Sequence, residues 1–344
     1  MGCGCSCECC SPECVIATVP PGMNVMPMAF FRARKAVNDP SNPKWHGPVD
    51  FALCASGGGS RALSFTMGIY RALWNLQLFE KFNVVSSVSG GTWCSSIFMF
   101  AKTYKGEAIS TAALVGPATT PSELSMAVLQ QAAPPLASGI TQGDSDVVIA
   151  AAGVEFVGRE YEVWPHVMSR WLLRDFDELK LMGVHLALDD AQVTRIKENN
   201  KKLDNAQFIT MRPDRPKMFV MNGTCLAPVG KLATSENAVS FQMSPDFVGS
   251  PFYPLNQQVV YQEASDFPCC DCLTNFWKDC KCCDKKRTVG GGFVESFAFG
   301  GKAPKQQEGG EDIDVPEPGE LDVFSLPYAV AISYLDAEPL FWPT

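Results

Sequence analysis

The sequence predicts an α/β fold, a sheet flanked by helices, and three observations carry that expectation. Residues 49–104 hold two successive units in which a β-type apolar run meets a glycine-bearing turn and then a helical pattern. The two turns lie about one βαβ unit apart, the spacing that makes neighbouring strands parallel. Hydrophobic residues make up 46% of the 344, enough for one large α/β domain or two small ones.

The elements follow in order. Residues 49–55 read as a short buried strand. Ser56-Gly57-Gly58-Gly59-Ser60 is a turn whose glycines reach backbone conformations closed to other residues. From Arg61 the period lengthens, and Ala62, Leu63, Phe65, Met67, Tyr70, Leu73 and Trp74 fit one broad helical face. Residues 83–88 form a second strand that ends on Ser87-Val88-Ser89-Gly90-Gly91, and a helix is expected over 92–104.

That order has a chemical meaning. A serine on a sharp strand-to-helix turn holds its Oγ above the sheet, beside a helix N-terminus. Gly90 and Gly91 relieve the crowding of such a turn. A tetrahedral intermediate needs donors for its oxyanion, and amides of the neighbouring glycine turn suit that task, with Gly58 and Gly59 as the chosen pair. Arg61 opens the first helix, where it can fix the loop or face an anionic head group. Together these residues read as a serine acyl hydrolase. A rival pattern is present, because residues 57–62 also fit the dinucleotide string G-x-G-x-x-A with Glu80 about twenty residues on. That acid belongs at the end of the second strand, whereas Glu80 precedes it, so the dinucleotide reading loses ground.

Residues 56–62 followed by Ser87-Val88-Ser89-Gly90-Gly91-Thr92-Trp93 resemble the catalytic core of the patatin-like and cytosolic phospholipase A2/lysophospholipase superfamily. Phe241-Gln242-Met243-Ser244-Pro245 resembles the Phe-x-x-Ser-Pro segment of the cytosolic phospholipase branch, and Gly291-Gly292-Phe293-Val294-Glu295-Ser296-Phe297 resembles another of its blocks. The resemblance spans roughly residues 48–344. It implies a three-layer sheet flanked by helices and a Ser–Asp dyad that cleaves fatty-acyl esters of phospholipids or lysophospholipids without histidine. By that resemblance Ser89 is the nucleophile, Gly58 and Gly59 form the oxyanion hole, and Arg61 lies near the phosphate. One departure stands out. The family's aspartate sits in an Asp-Gly motif, and this sequence has no Asp-Gly dipeptide. Phe341-Trp342-Pro343 resembles the segment before that motif, which implies a domain incomplete at its C-terminus or a non-catalytic member; Asp322 and Asp336 lie outside any glycine turn.

The net charge of -9 argues against a nucleic-acid surface and against attachment to a membrane by bulk electrostatics. No apolar run reaches the roughly 18 residues a spanning helix needs. The N-terminus offers another route to the bilayer. Met1-Gly2-Cys3-Gly4-Cys5-Ser6 fits the N-myristoylation pattern on Gly2, with Cys3 and Cys5 beside it suited to palmitoylation. One myristoyl chain binds membranes only marginally, on the order of 10⁴ M⁻¹, and a second makes the attachment durable. A cysteine tail for metal or redox chemistry, or simple disorder, is the rival reading. Lipidation implies a cytoplasmic, peripherally membrane-associated protein with a phospholipid surface as partner.

Residues 1–47 read as a Cys/Pro-rich lead-in, with a short helix around 30–36, and residues 48–344 as the hydrolase domain. Thr120-Pro121-Ser122-Glu123 opens a capping box for a helix running to Gln131, and residues 161–173 look amphipathic. His46, His166 and His185 read as surface or structural residues, not as a triad base. Residues 189–205 read as a solvated helix or loop, and residues 217–225 as a core strand ending in a turn at Asn222-Gly223. The Phe- and Met-rich stretch 241–255 fits core packing before acyl-chain lining. The insertion 269–283, with Cys269, Cys270, Cys272, Cys280, Cys282 and Cys283, fits a zinc site, further S-acylation or no special chemistry; no metal or cofactor is expected. Residues 302–320 read as an acidic disordered loop. Gly2→Ala is expected to move the protein from the membrane to the soluble fraction of cells; unchanged partitioning would remove lipidation from the account.

Overall fold

The computed structural model describes residues 29–33, 51–117, 120–123, 125, 134–141, 160–225, 238–250, 292–299, 312–313, 323–334 and 336–337. Its strands are β1 (Ala29–Ala33), β2 (Ala52–Ala55), β3 (Val84–Val88), β4 (Thr103–Tyr104), β5 (Glu107–Ala108), β6 (His185–Ala187), β7 (Phe208–Thr210), β8 (Met218–Cys225), β9 (Val239–Met243), β10 (Phe247–Ser250), β11 (Gly292–Glu295), β12 (Asp312–Ile313) and β13 (Asp336–Ala337). The helices are α1 (Gly59–Asn75), α2 (Gly90–Phe100), α3 (Thr111–Val115), α4 (Ser138–Thr141), α5 (Glu160–Arg170), α6 (Asp190–Asn199) and α7 (Leu326–Tyr334). A nine-stranded mixed sheet runs β12-β1-β11-β10-β9-β8-β3-β2, with β13 also joined to β8.

The α/β class holds, and the strand–turn–helix–strand–turn–helix order of residues 52–100 is the one the sequence predicts. β2 and β3 are parallel, with Ala55 opposite Ser87, and β3 continues parallel to β8, with Val88 opposite Asn222. In paired parallel strands opposite residues share a face, so Ser87, Met221 and, two residues on, Gly223 look the same way. On that face lie α2, bonded to Ser87 through Thr92, and α7, whose Ile332 meets Gly223. On the other face Cys54, Ser86, Val88 and Asn222 stay half-buried or exposed among the described residues. Of the expected three layers, the described residues thus represent the sheet and a helical layer on this face.

Helix α2 is buried on every side. Its sequence, GGTWCSSIFMF, carries no charge, and its buried hydroxyls at Thr92, Ser95 and Ser96 are hydrogen-bonded, as a helix enclosed by other elements requires. Around it Tyr70, Phe79 and Phe98 form an aromatic cluster with centroids 4.7–5.3 Å apart. The buried Arg215 guanidinium lies 3.9 Å above the Phe98 ring, donates to the Phe98 carbonyl at 2.7 Å and pairs with Asp214 at 2.8 Å. A buried cation is tolerated there because ring, carbonyl and carboxylate all meet it.

Several local expectations change. Residues 29–33 form strand β1, not a short helix, because they pair in parallel with both β11 and β12. Tertiary pairing overrides local propensity there. Phe65 points to solvent at 70% exposure, and the buried face of α1 is instead Leu63, Thr66 and Tyr70. Asn222-Gly223 lies inside β8 and is not a turn, since β9 pairs through to Cys225. Gly223 is small for a packing reason: a methyl there would lie 3.0 Å from Ile332 Cγ2. Thr120 and Glu123 do form their box, with the Thr120 N–H donating to the carboxylate at 2.9 Å at a 3₁₀ turn over Pro121–Glu123, while residues 126–131 of the expected helix lie outside the described residues. The Ser244-Pro245-Asp246 segment is the turn of the β9–β10 hairpin, where the Ser244 Oγ accepts from the amides of Asp246 and Phe247. Phe241, Met243 and Phe247 are core, as expected. Of residues 302–320 only Asp312 and Ile313 are described, and they form β12.

His185 is a core histidine. It is 1% exposed, stacks on Phe208 with centroids 5.1 Å apart, and neither ring nitrogen has a hydrogen-bond partner among the described residues. Burial pulls its pKa from 6.5 down to about 4. Between those values the unfolded chain binds a proton that the fold excludes, so stability is full above the unfolded pKa and falls as pH drops toward 4. The unfolding free energy is expected to decline by up to about 1.4 kcal/mol per pH unit in that window. His185→Phe should flatten this slope in urea titrations at several pH values; an unchanged slope would remove His185 as its source.

Candidate active site

Ser89 occupies the junction of β3 and α2 with φ 51° and ψ -128°. A positive φ outside glycine is uncommon, and among the described residues Gln77, Ser89 and Lys105 alone have it. Such a backbone costs about 1–3 kcal/mol and persists where its surroundings over-determine it. The surroundings here do so. The Ser89 N–H donates to both the carbonyl oxygen and the Oγ of Ser333 on α7, at 3.0 and 2.9 Å. The Ser89 carbonyl accepts the first helical bond of α2, from Trp93 N–H at 3.0 Å.

The glycines explain how two turns fit one space. Because Ala55 lies opposite Ser87, the chain leaving β2 and the chain leaving β3 emerge side by side. A methyl on Gly90 would overlap the Gly59 carbonyl, and one on Gly91 would lie 2.5 Å from the Ala55 carbonyl oxygen. On the other side a methyl on Gly57 would lie 3.0 Å from Ser89 Cβ and 3.6 Å from its Oγ. Backbone therefore touches backbone, and the serine side chain stands against the glycine turn. Gly58 (φ 134°) caps α1 and Gly59 (φ 63°) begins it, both at φ values that suit glycine.

The structure brings Ser89 and the Gly57-Gly58-Gly59 turn together and leaves Ser89 half-buried. Arg61 is exposed on the first turn of α1. Ser89 Oγ makes no hydrogen bond among the described residues, to histidine or to carboxylate. His166 is half-buried on α5, and His185 lies in the small β6–β7 sheet. Asp246 is tied down by Gln192, whose Nε2 donates to it at 2.7 Å, and it belongs to the hairpin. Asp336 begins β13, its backbone paired at Thr224, two rungs past the Val88–Asn222 pair. Gly2, Cys3, Cys5, His46, Asp322 and the 269–283 cysteines lie outside the described residues. Among the described residues no group of three or more His, Cys, Asp or Glu could hold a metal ion, and no helix is long and apolar enough to cross a membrane.

Two features escape sequence reasoning. One is Gly57 as the member of the glycine run that faces the serine; a run of three gives no cue to which one does. The other is the hydroxyl cluster of Ser87, Thr92 and Ser333 with Asn222, since Ser333 is 244 residues from Ser89. Next to the elbow, at the carboxyl ends of β2, β3 and β8, is a cavity of about 540 Å³ lined in part by Cys54, Ser56, Ser86, Val88, Asn222 and Ser240. In open α/β sheets such strand ends are the usual place for a ligand.

No protein-family model matches the chain, and no curated protein matches it. Among solved structures it is similar to human GIVD cytosolic phospholipase A2, at 15% identity and a TM-score of 0.39. That match covers 83% of this chain and 28% of the other, so the chain spans under a third of that protein's length.

The close approach at Gly91 can be tested against a control on the same pair of helices. Gly91→Ala is expected to destabilise the protein by roughly 1–3 kcal/mol through overpacking. Gly68, exposed within α1 and with nothing within 4 Å of an added methyl, should instead gain about 0.5–1 kcal/mol on substitution by alanine. Urea denaturation of both variants checks the contrast; equal effects would contradict the packing described.

Proposed function

We propose that this chain is a serine acyl hydrolase acting on fatty-acyl esters of phospholipids or lysophospholipids, with Ser89 as nucleophile. The observation that carries the reading is the strained Ser89 backbone at a strand-to-helix turn, with its side chain against a glycine turn. Strain of this kind is kept where the chemistry needs an exposed hydroxyl above a sheet.

In the proposed reaction Ser89 Oγ attacks the ester carbonyl carbon and gives up its proton to a general base. The carbonyl oxygen, now anionic, is held by the amides of Gly58 and Gly59, donors preorganised by the turn. Collapse expels the lysolipid or glycerol alcohol, which takes up a proton, and water then cleaves the acyl-serine. Arg61 faces the substrate phosphate from the start of α1. Attachment through Gly2, Cys3 and Cys5 would hold this acidic protein at the cytoplasmic face of a phospholipid membrane. The charge of -9 gives nucleic acid no place in the scheme.

The resemblance implies an aspartate as general base, in an Asp-Gly turn that the sequence does not contain. A second reading is a lipid-binding or scaffold protein that keeps the elbow and does not turn over. A conventional esterase with a histidine base fits less well, since no histidine meets Ser89 Oγ among the described residues. A fluorophosphonate probe separates these. The parent should label at Ser89, and Ser89→Ala should lose labelling by more than about a thousandfold. Labelling that survives the substitution sinks the assignment; labelling without ester turnover decides for the second reading.

A further inference from the structure

We propose that Ser333, on the last turn of α7, is a positioning residue that holds Ser89 in its nucleophilic geometry through a buried relay of hydroxyls. The proposal rests on the hydrolase reading of Ser89 and adds the residue that sets that serine's direction.

The hydrogen bonds of the relay converge on Ser333 Oγ. The Asn222 carbonyl can only accept, so the Ser333 hydroxyl donates to it, at 2.7 Å. Thr92 Oγ1, at 2.8 Å, is a second acceptor within reach of the Ser333 hydroxyl, and Ser333 Oγ itself accepts the Ser89 N–H at 2.9 Å. Ser87 Oγ and Thr92 Oγ1 lie 2.9 Å apart, a pair in which either hydroxyl can donate, and Ser87 Oγ also reaches the Val220 carbonyl at 3.5 Å. The Asn222 side chain closes the set, its Nδ2 donating to Ser86 Oγ and to the Ser87 carbonyl, each at 2.9 Å. Every hydroxyl in the relay is satisfied. Ser87, Thr92 and Ser333 are 2%, 0% and 3% exposed, so bulk water does not substitute for a missing member.

The geometry gives this relay a task beyond cohesion. The Ser89 N–H already has the Ser333 carbonyl as acceptor, which by itself attaches the turn to α7. The second acceptor, Ser333 Oγ, lies on the same N–H and fixes the tilt of the Val88–Ser89 peptide plane. With φ at 51°, a tilt of that plane swings Cβ and Oγ relative to the glycine turn. Ser333→Ala removes this second acceptor and keeps the first. Displacement of a reacting group by about 1 Å lowers the rate about 100-fold.

The test compares the parent, Ser89→Ala, Ser333→Ala, Ser333→Cys and Thr92→Val by the rate of fluorophosphonate labelling, by kcat and KM on a short-chain acyl ester, and by amide hydrogen exchange at Ser89. Expected for Ser333→Ala are a fall of about 100-fold in labelling rate and kcat with KM little changed, and faster exchange at Ser89. Ser333→Cys, similar in shape with a weaker hydrogen bond, should fall between the two, and Thr92→Val should slow labelling in the same direction. Parental labelling and exchange in Ser333→Ala, with labelling abolished in Ser89→Ala, would overturn the positioning role and leave the hydrolase reading standing. Labelling that persists in Ser89→Ala, or a parent that takes no label, would overturn the hydrolase reading and the proposal with it. Should Ser333→Ala not fold, the other two variants decide, and parental rates in both overturn the proposal.

Discussion

The structure depends on one contact in which backbone meets backbone: the first residues of α2 against the turn that leaves β2. Parallel strands lie about 4.8 Å apart, so two chains that leave neighbouring strands at the same level have no room for side chains between them. Gly90 and Gly91 supply that room, against the carbonyls of Gly59 and Ala55. Once the two turns touch, the position of Ser89 relative to the glycine turn follows from sheet geometry. The strain at Ser89 is the other side of the same constraint, since the chain must swing from strand to helix within one residue.

What holds that contact closed is the enclosure of α2. A helix buried on every side has no solvent-facing direction in which to shift, and its neighbours are themselves fixed by polar anchors. Arg215 is met by a ring face, a carbonyl and a carboxylate, and the Tyr70 hydroxyl sits 2.6 Å from Ser95 Oγ. The α2 N-terminus is thus a rigid platform under the serine. Rigid placement on a helix and a strand, in preference to a mobile loop, is what the proposed nucleophile needs.

The part of the fold that was legible in the sequence is the part governed by local chemistry. Residues 52–100 show their alternation of strand, glycine turn and helix because period and glycine content report backbone state directly, and the strand-to-helix turn at Ser89 is legible on that basis. Elements set by distant pairing were not legible. β1 took strand form from β11 and β12, over 250 residues away in sequence, and Asn222-Gly223, a turn by its dipeptide, became strand through β9 and packing by α7. Phe65 was misplaced because one helical face drawn through all apolar residues was too broad, and Thr66, a polar residue, took the buried position. The hydroxyl relay had no local signature at all; serine and threonine at scattered positions acquire meaning only when the fold assembles them.

That relay also has a temporal side. Ser56 to Thr92 lie within one strand–turn–helix–strand–turn–helix stretch, while Ser333 comes to it from 244 residues further on. A ribosome delivers the first group long before the second, and contacts of such sequence separation close late in folding. The nascent chain therefore carries its elbow in an unlocked state until α7 docks. Ser89 gains its bonds to Ser333 only after α7 has been made, so nascent chains that have not reached it hold the serine without that constraint.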